Sequence, residues 1–232
     1  MSAPISIGEQ HSPEWMAARR GIVTASRCGD VINFLKKGGE SADRRSYRND
    51  LVVALLTGLD PYRYVSAEMQ WGLDQEPFAR AAYEMAQDVM VETCGLVLHP
   101  KVPRFGASPD GLVGDDGLIQ IKCPNTATHL GWMLTGQVPS EHGAQMLAEM
   151  ACTGREWNDF VSFDPRLPKH LQLFIKRWHR DDALISQLEV EVARFNSEID
   201  DVLDQLPQEP RAGKGQPVVN ILDYMPRDEV SF

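Results

Sequence analysis

Residues 106–124, GASPDGLVGDDGLIQIKCP, constrain the fold more than any other stretch of the chain. Gly114-Asp115-Asp116-Gly117 is a cluster of turn formers between two apolar runs, the pattern that closes a β-hairpin. With residues 114–116 as the loop, Val113 pairs with Gly117, Leu112 with Leu118, and Asp110 falls opposite Gln120. Side chains alternate across a strand. Gln120 and Lys122 therefore share the face of Asp110, while Ile119 and Ile121 point the other way into a core. Directly opposed residues on one face have Cβ atoms about 4.5–5.5 Å apart. A slip of one residue would send Gln120 to the wrong face, so the register decides whether these three polar groups meet.

If they meet, the cluster suits a hard divalent cation. Magnesium takes oxygen ligands in near-octahedral geometry. Paired carboxyl groups and a backbone carbonyl, here that of Ile121, can anchor it against a phosphate. A neighbouring lysine can orient a water and stabilise developing charge. Asp-x₉-Gln-x-Lys is by itself a weak pattern. The plain alternative is a surface hairpin whose aspartate helps a turn.

The hairpin sits within a chain of mixed character. Ser12-Pro13-Glu14 starts a helix, with Ser as N-cap and Pro in the first turn, running to about Arg20 and stopping at Gly21. Thr24-Ala25-Ser26 opens a second helix. Residues 47–57 form a third, closed by Gly58. Residues 66–87 form a long amphipathic helix carrying Trp71, Glu76 and Tyr83. Residues 89–99 are rich in β-formers. A helix over 139–154 is capped by Ser140 and stopped by Gly154. Residues 158–164 and 171–178 alternate and read as strands. A helix over 181–206 carries Leu184, Leu188, Val192, Phe195, Ile199 and Leu203 on one stripe. There is no internal repeat. The expected fold is α/β, with a mixed or mostly antiparallel sheet of about five strands and helices on its faces. It forms one domain over residues 1–206. The tail, 207–232, is rich in Pro, Gly and charge and reads as a flexible arm.

Composition excludes several classes. No apolar run approaches the roughly 18 residues of a membrane span. The N-terminal MSAPISIGEQHSPEW lacks the basic and apolar regions of a secretory signal. The four cysteines are scattered without CxxC spacing, and the six histidines are dispersed. Reduced thiols in a cytoplasm are expected, with neither a disulfide framework nor a zinc site. The net charge of -10 argues against a general nucleic-acid coat protein. The charge is uneven. Residues 1–63 hold nine Lys/Arg against seven Asp/Glu, and the remainder fourteen against twenty-six. A nucleic-acid surface, if there is one, is expected around Arg19, Arg20, Lys36, Lys37, Arg44, Arg45 and Arg48. The alternative is that these are solvated loop charges.

The flanks of the hairpin carry a resemblance. SPDGL followed by LxIKCP resembles the core motif of the lambda exonuclease-type, viral-recombinase branch of the PD-(D/E)xK nucleases. Trp15-Met-Ala-Ala-Arg-Arg-Gly-Ile-Val-Thr-Ala-Ser26 resembles that family's N-terminal element, and Trp71-Gly-Leu-Asp-Gln-Glu76 its WGxxxE helix. Ala144-Gln145 resembles the AQ of the helix after the core, and Phe163-Asp-Pro-Arg166 a late strand ending in DPR. The motifs occur in family order over roughly residues 12–206.

The resemblance implies a restriction-endonuclease-like core and a Mg²⁺-dependent 5′→3′ exonuclease on linear double-stranded DNA, with Mn²⁺ as a substitute. It would release 5′-mononucleotides and leave a 3′ single strand. It implies a ring-shaped homotrimer, a single-strand annealing recombinase as partner, and a bacterial or prophage-encoded cytoplasmic protein with no membrane attachment. By position, Asp110 is the principal metal carboxylate, Ile121 offers its carbonyl, and Lys122 is the catalytic lysine. Glu76 sits near a second metal or the attacking water. Arg19 holds the 5′-phosphate, and Ser26, Ser108 and Gln145 line its path. Duller roles also fit. Glu76 can be a solvated helix residue, Gln145 a backbone cap, Ser26 an N-cap and Ser108 a turn residue. Arg20 competes with Arg19 for the phosphate. The histidines and Cys123 read as packing.

The family has glutamate where this chain has Gln120. An amide oxygen can touch a metal but brings no negative charge. Weaker metal binding and a slower cut are expected, with fold and DNA groove kept. The glutamine is either a deliberate replacement or the mark of a natural homologue retired from cutting. Two other functions share the core: an endonuclease or junction resolvase, and a non-catalytic DNA-end-binding module.

Overall fold

A computed structural model describes residues 6–59 and 66–207. The chain begins with β1 (Ser6–Ile7) and α1 (Pro13–Ala18). Ser12 caps α1 by accepting from the Trp15 amide, and Pro13 sits in the first turn, where its missing N–H has no partner to lose. Then come β2 (Val23–Thr24), a 3-10 turn over Ala25–Arg27, and α2 (Cys28–Val31). α3 (Ala42–Thr57) starts earlier than the expected residue 47, because Ser41 accepts from the Arg44 amide and caps it there. α4 (Ala67–Gln87) has the expected bounds, with Ser66 as its cap.

Five short strands follow: β3 (Val91–Glu92), β4 (Leu96–Leu98), β5 (Phe105–Ala107), β6 (Gly111–Val113) and β7 (Gly117–Lys122). After them come α5 (Thr126–Thr135), α6 (Ser140–Thr153), β8 (Trp157–Phe163), β9 (Leu173–His179) and α7 (Asp182–Gln205). The main sheet has five strands in the order β3-β6-β7-β8-β9. It is mixed: β7 runs parallel to β8, and the other pairs are antiparallel. Parallel neighbours need a crossover, and α5 and α6 supply it.

The hairpin register is the expected one. Val113 faces Gly117, Leu112 faces Leu118, and Gly111 faces Ile119. Ile119 and Ile121 pack with Tyr83 and Ala79 of α4, while Leu118 packs into the other core with α6 and α7. The two faces of β7 thus point at different helices. The turn is clamped by Arg155, whose Nη1 donates to the carbonyls of Gly114 and Gly117. Gly117 has no room for a side chain, since a Cβ there would overlap the Trp157 ring.

Several expectations need correction. A second sheet, in the order β1-β4-β5-β2, joins the five-stranded one. Its strands are two or three residues long, too short to show a period. α5 was not anticipated, although Asn125 accepts from the Thr128 amide as its cap and Gly136 ends it at φ 61°. Ser140 is the first helical residue of α6, and the N-cap is Pro139, which gives no side-chain bond. α1 ends at Ala18 rather than Arg20. On α7 the buried stripe begins at Ile185, and Leu184 is exposed. β8 is buried from Asn158 to Phe163 rather than alternating, as expected for a strand covered on both faces.

The expected basic surface is also corrected in part. Arg44 is 2% exposed. Its guanidinium donates to Glu198 on α7 at 2.6 and 2.9 Å and to Glu40 at 3.0 Å. Arg48 donates to Glu40 at 2.6 Å and to Glu198 at 3.1 Å, and Arg45 reaches Glu40 at 3.4 Å. Arg44 and Arg48 fasten α3 to α7 and are withdrawn from a basic face, whereas Arg45 stays exposed and pairs with Glu40. Lys36 and Lys37 are exposed. The expected flexible arm, apart from Pro207, lies outside the described residues. Among the described residues, no helix is long and apolar enough to cross a membrane.

Candidate functional site

The face of β7 that looks toward α6 carries the polar cluster. Asp110 precedes β6, and its Oδ2 accepts from the Ile121 amide and from Gln120 Nε2, each at 2.6 Å. The convergence expected from the register therefore occurs. Gln120 is 2% exposed, so its amide must find partners. Its nitrogen also reaches the Ile121 carbonyl at 3.4 Å, and its oxygen accepts from Gln145 Nε2 at 2.6 Å. Lys122 Nζ donates to Gln145 Oε1 at 3.4 Å. Gln145 thus links β7 to α6 through side chains rather than capping backbone.

All nine residues singled out in the sequence border one cleft of about 910 Å³. Asp110, Gln120, Ile121 and Lys122 come from the hairpin. Gln145 comes from α6 and Glu76 from α4. Arg19, Ser26 and Ser108 complete the set, and Arg20 borders the same cleft. The N-terminal element is fixed by Trp15, whose Nε1 donates to Ser108 Oγ at 2.9 Å. The Arg19 guanidinium stacks over the Trp15 ring, 4.0 Å from its centroid. Ser26 Oγ lies 3.3 Å from Thr24 Oγ1. Glu76 accepts from Arg80 at 2.7 Å, and Arg80 also donates to the Asp110 carbonyl at 3.1 Å.

One residue was missed. Glu149 on α6 borders the same cleft and is fully buried. Its Oε1 accepts from Gln145 Nε2 at 2.9 Å and its Oε2 from Asn158 Nδ2 at 2.7 Å. The available signal was its spacing. Glu149 lies four residues after Gln145, hence on the same helix face, inside the apolar run MLAEMAC.

Electrostatics set these groups apart. Burial raises the Asp110 carboxyl to about 6; Lys122 opposes that shift and Glu76 adds to it. Burial raises Glu149 to about 8, and the charge of Asp110 pushes the same way against the hydrogen bonds from Asn158 and Gln145. Burial, with Lys122 nearby, lowers His142 to about 4. Cys123 is raised to about 12 by burial, which makes it a poor nucleophile.

The donor set fits a hard cation. The Asp110 carboxylate and the Ile121 carbonyl offer oxygen, while Gln120 turns its nitrogen toward both and its oxygen toward Gln145. Among the described residues no three His, Cys, Asp or Glu side chains form a group able to hold a metal ion unaided.

Residues 14–156 match the family model described as the YqaJ-like viral recombinase domain. The alkaline exonuclease LHK-Exo from Laribacter hongkongensis is similar in fold and sequence, with 47% identity over 83% of this chain and 95% of that one, and a TM-score of 0.78. Its complex with dAMP matches equally well. A phage-related exonuclease from Haemophilus somnus 129PT shares the fold, with a TM-score of 0.63 at 15% identity over 79% of this chain and 96% of that one. No curated protein matches the chain.

Proposed function

This chain belongs to the YqaJ-like viral recombinase domain family, and from that premise we propose that it is a Mg²⁺-dependent 5′→3′ exonuclease acting on linear double-stranded DNA. It releases 5′-mononucleotides and leaves a 3′ single strand. The observation that carries the reading is the meeting of Asp110, the Ile121 carbonyl and Lys122 in one cleft with Arg19 and Ser26. The 47% identical relative solved with dAMP supports a mononucleotide product.

Asp110 and the Ile121 carbonyl would hold the cation, Mg²⁺ or in its place Mn²⁺, and the Gln120 oxygen would join them once its amide, whose nitrogen now faces them, turns over. When bound, the cation supplies Lewis acidity and neutralises charge on the phosphoryl group. Lys122 orients the attacking water and stabilises charge that develops during the cut. Glu76, paired with Arg80, would stand near the attacking water or help to hold a second cation. The Arg19 guanidinium, held over the Trp15 ring, binds the 5′-phosphate of the DNA end through paired N–H donors. Ser26, Ser108 and Gln145 line the path of that phosphate. Gln120 lacks the charge of a glutamate, so the cut is slower than the Gln120→Glu protein would achieve, with DNA binding largely kept.

Residues 1–206 act as one nuclease domain. Three chains form a ring around the duplex, which lets an acidic protein line its channel with basic groups. The single strand passes to an annealing recombinase, in the cytoplasm of a bacterium that carries the gene or its prophage.

Digestion of a 5′-phosphorylated linear duplex in Mg²⁺ tests this, comparing the chain with Gln120→Glu. Mononucleotides released faster by the glutamate protein, with closed circles untouched, are expected. Cut circles would indicate an endonuclease or resolvase on the same core. Silence from both proteins with end binding retained would indicate a DNA-end-binding module.

A further inference from the structure

We propose that Glu149 supplies the second carboxylate charge of the cation site, the charge that β7 lacks at position 120. The proposal rests on the nuclease reading above and concerns which residue completes its site.

Glu149 is fully buried in the wall of the cleft. A buried carboxylate is expensive unless a positive charge is near. Among the described residues it forms no ion pair. Its oxygens accept only from the amides of Gln145 and Asn158. Glu76 is the rival candidate, but its charge is already matched by Arg80 at 2.7 Å. Glu149 is the fully buried carboxyl group beside the Asp110 cluster that has amide partners and no ion pair among the described residues.

It is also wired to the site. A single nitrogen, Gln145 Nε2, donates to Gln120 Oε1 at 2.6 Å and to Glu149 Oε1 at 2.9 Å. The other end of the same amide accepts from Lys122. Glu149 is thus one side chain removed from both position 120 and the lysine. Gln120 at present turns its nitrogen toward Asp110 Oδ2 and the Ile121 carbonyl, the two oxygens proposed for the cation. For its oxygen to face a cation, that amide must turn over and aim its N–H groups toward the Gln145–Glu149 side. A carboxylate is the strongest acceptor available there. Asp110 and Glu149 then give the site the two negative charges that the family pattern draws from an aspartate and a glutamate.

A purely structural role is the competing account, since Asn158 and Glu149 also tie β8 to α6. Substitution at position 120 separates the two. Mn²⁺ affinity is measured by titration calorimetry and by the electron paramagnetic resonance of free Mn²⁺. The proteins are the chain, Glu149→Gln, Gln120→Glu, the double variant, and Asp110→Asn as reference. Glu149→Gln should weaken Mn²⁺ binding about 10–100-fold in the Gln120 chain, the range seen when a supporting residue of a metal site is lost. In the Gln120→Glu background the same change should have little effect, because the charge is present on β7. Equal weakening in both backgrounds, or none in either, would overturn the proposal. Loss of binding in Asp110→Asn with none in Glu149→Gln overturns the role of Glu149 and leaves the nuclease reading standing. A chain that binds no Mn²⁺, or in which Asp110→Asn changes nothing, overturns both. Glu149→Met is a second neutral variant, read in the same way should the glutamine protein not fold.

Discussion

His142 shows how a single side chain in the cleft wall ties stability to pH. Its ring lies 5.5 Å from that of Trp132 and 5.4 Å from that of Phe160, and burial lowers it to about 4. In the unfolded chain the same imidazole titrates near 6.5. Its folded value is depressed, so its contribution to stability is present above about pH 6.5 and is lost as pH falls toward 4. The full effect is at most about 3 kcal/mol, at 1.36 kcal/mol for each unit of difference. His142→Phe keeps the ring packing and should flatten the melting temperature between these pH values. An acid limb of unchanged slope would count against this account. Arg19 makes a different claim. A hydrogen bond to a charged partner contributes about 1.5–3 kcal/mol, so Arg19→Ala should weaken binding of a 5′-phosphorylated duplex end by roughly tenfold or more. Fluorescence anisotropy should show a smaller loss for a 5′-hydroxyl end. Equal losses would mean that another group, Arg20 foremost, holds the phosphate.

At the scale of elements, two junctions carry the architecture. The β7–β8 pair closes over Gly117, where the Trp157 ring covers the backbone and Arg177 stacks 3.5 Å above that ring. Gly117→Ala forces the indole aside, and overpacking of this kind costs about 1–3 kcal/mol. A lower melting temperature and slower cutting should appear together, because β7 carries Gln120 and Lys122. The α3–α7 junction rests on Arg44. Removing one partner of a buried pair costs about 3–5 kcal/mol, and the partial exposure of Glu198 and Glu40 puts Arg44→Ala near the low end. Its DNA affinity at fixed salt should stay unchanged. A parallel loss of affinity would restore the basic-surface reading of that helix.

These junctions also mark the limit of what the sequence reveals. Arg44 and Arg48 read as part of a basic patch because their partner Glu198 lies on a helix far along the chain. β1 and β2 pair over two residues each, which leaves no period to detect. The missed α5 did carry an asparagine cap and a closing glycine, with an apolar pattern too brief between them to separate helix from loop.

For the whole molecule, net charge and assembly belong together. A chain of charge -10 should hold DNA through a local basic lining rather than by general attraction. Exposed apolar side chains, including Leu59 at 67%, Phe78 at 63% and Leu134 at 87%, provide surface that self-association can bury. Sedimentation should give three times the chain mass of 26.0 kDa. A monomer at all concentrations would rule out the ring.

The sequence alone determined the hairpin, its register and the meeting of Asp110, Gln120 and Lys122, because turn chemistry and strand alternation are local rules acting over a few residues. It also carried the family, since ordered short motifs survive as written text. Only the tertiary structure decided which charges are available for function. Burial and pairing depend on what other elements bring alongside. That context turned Arg44 inward to Glu198, and it left Glu149 buried beside Gln145 with no ion pair among the described residues.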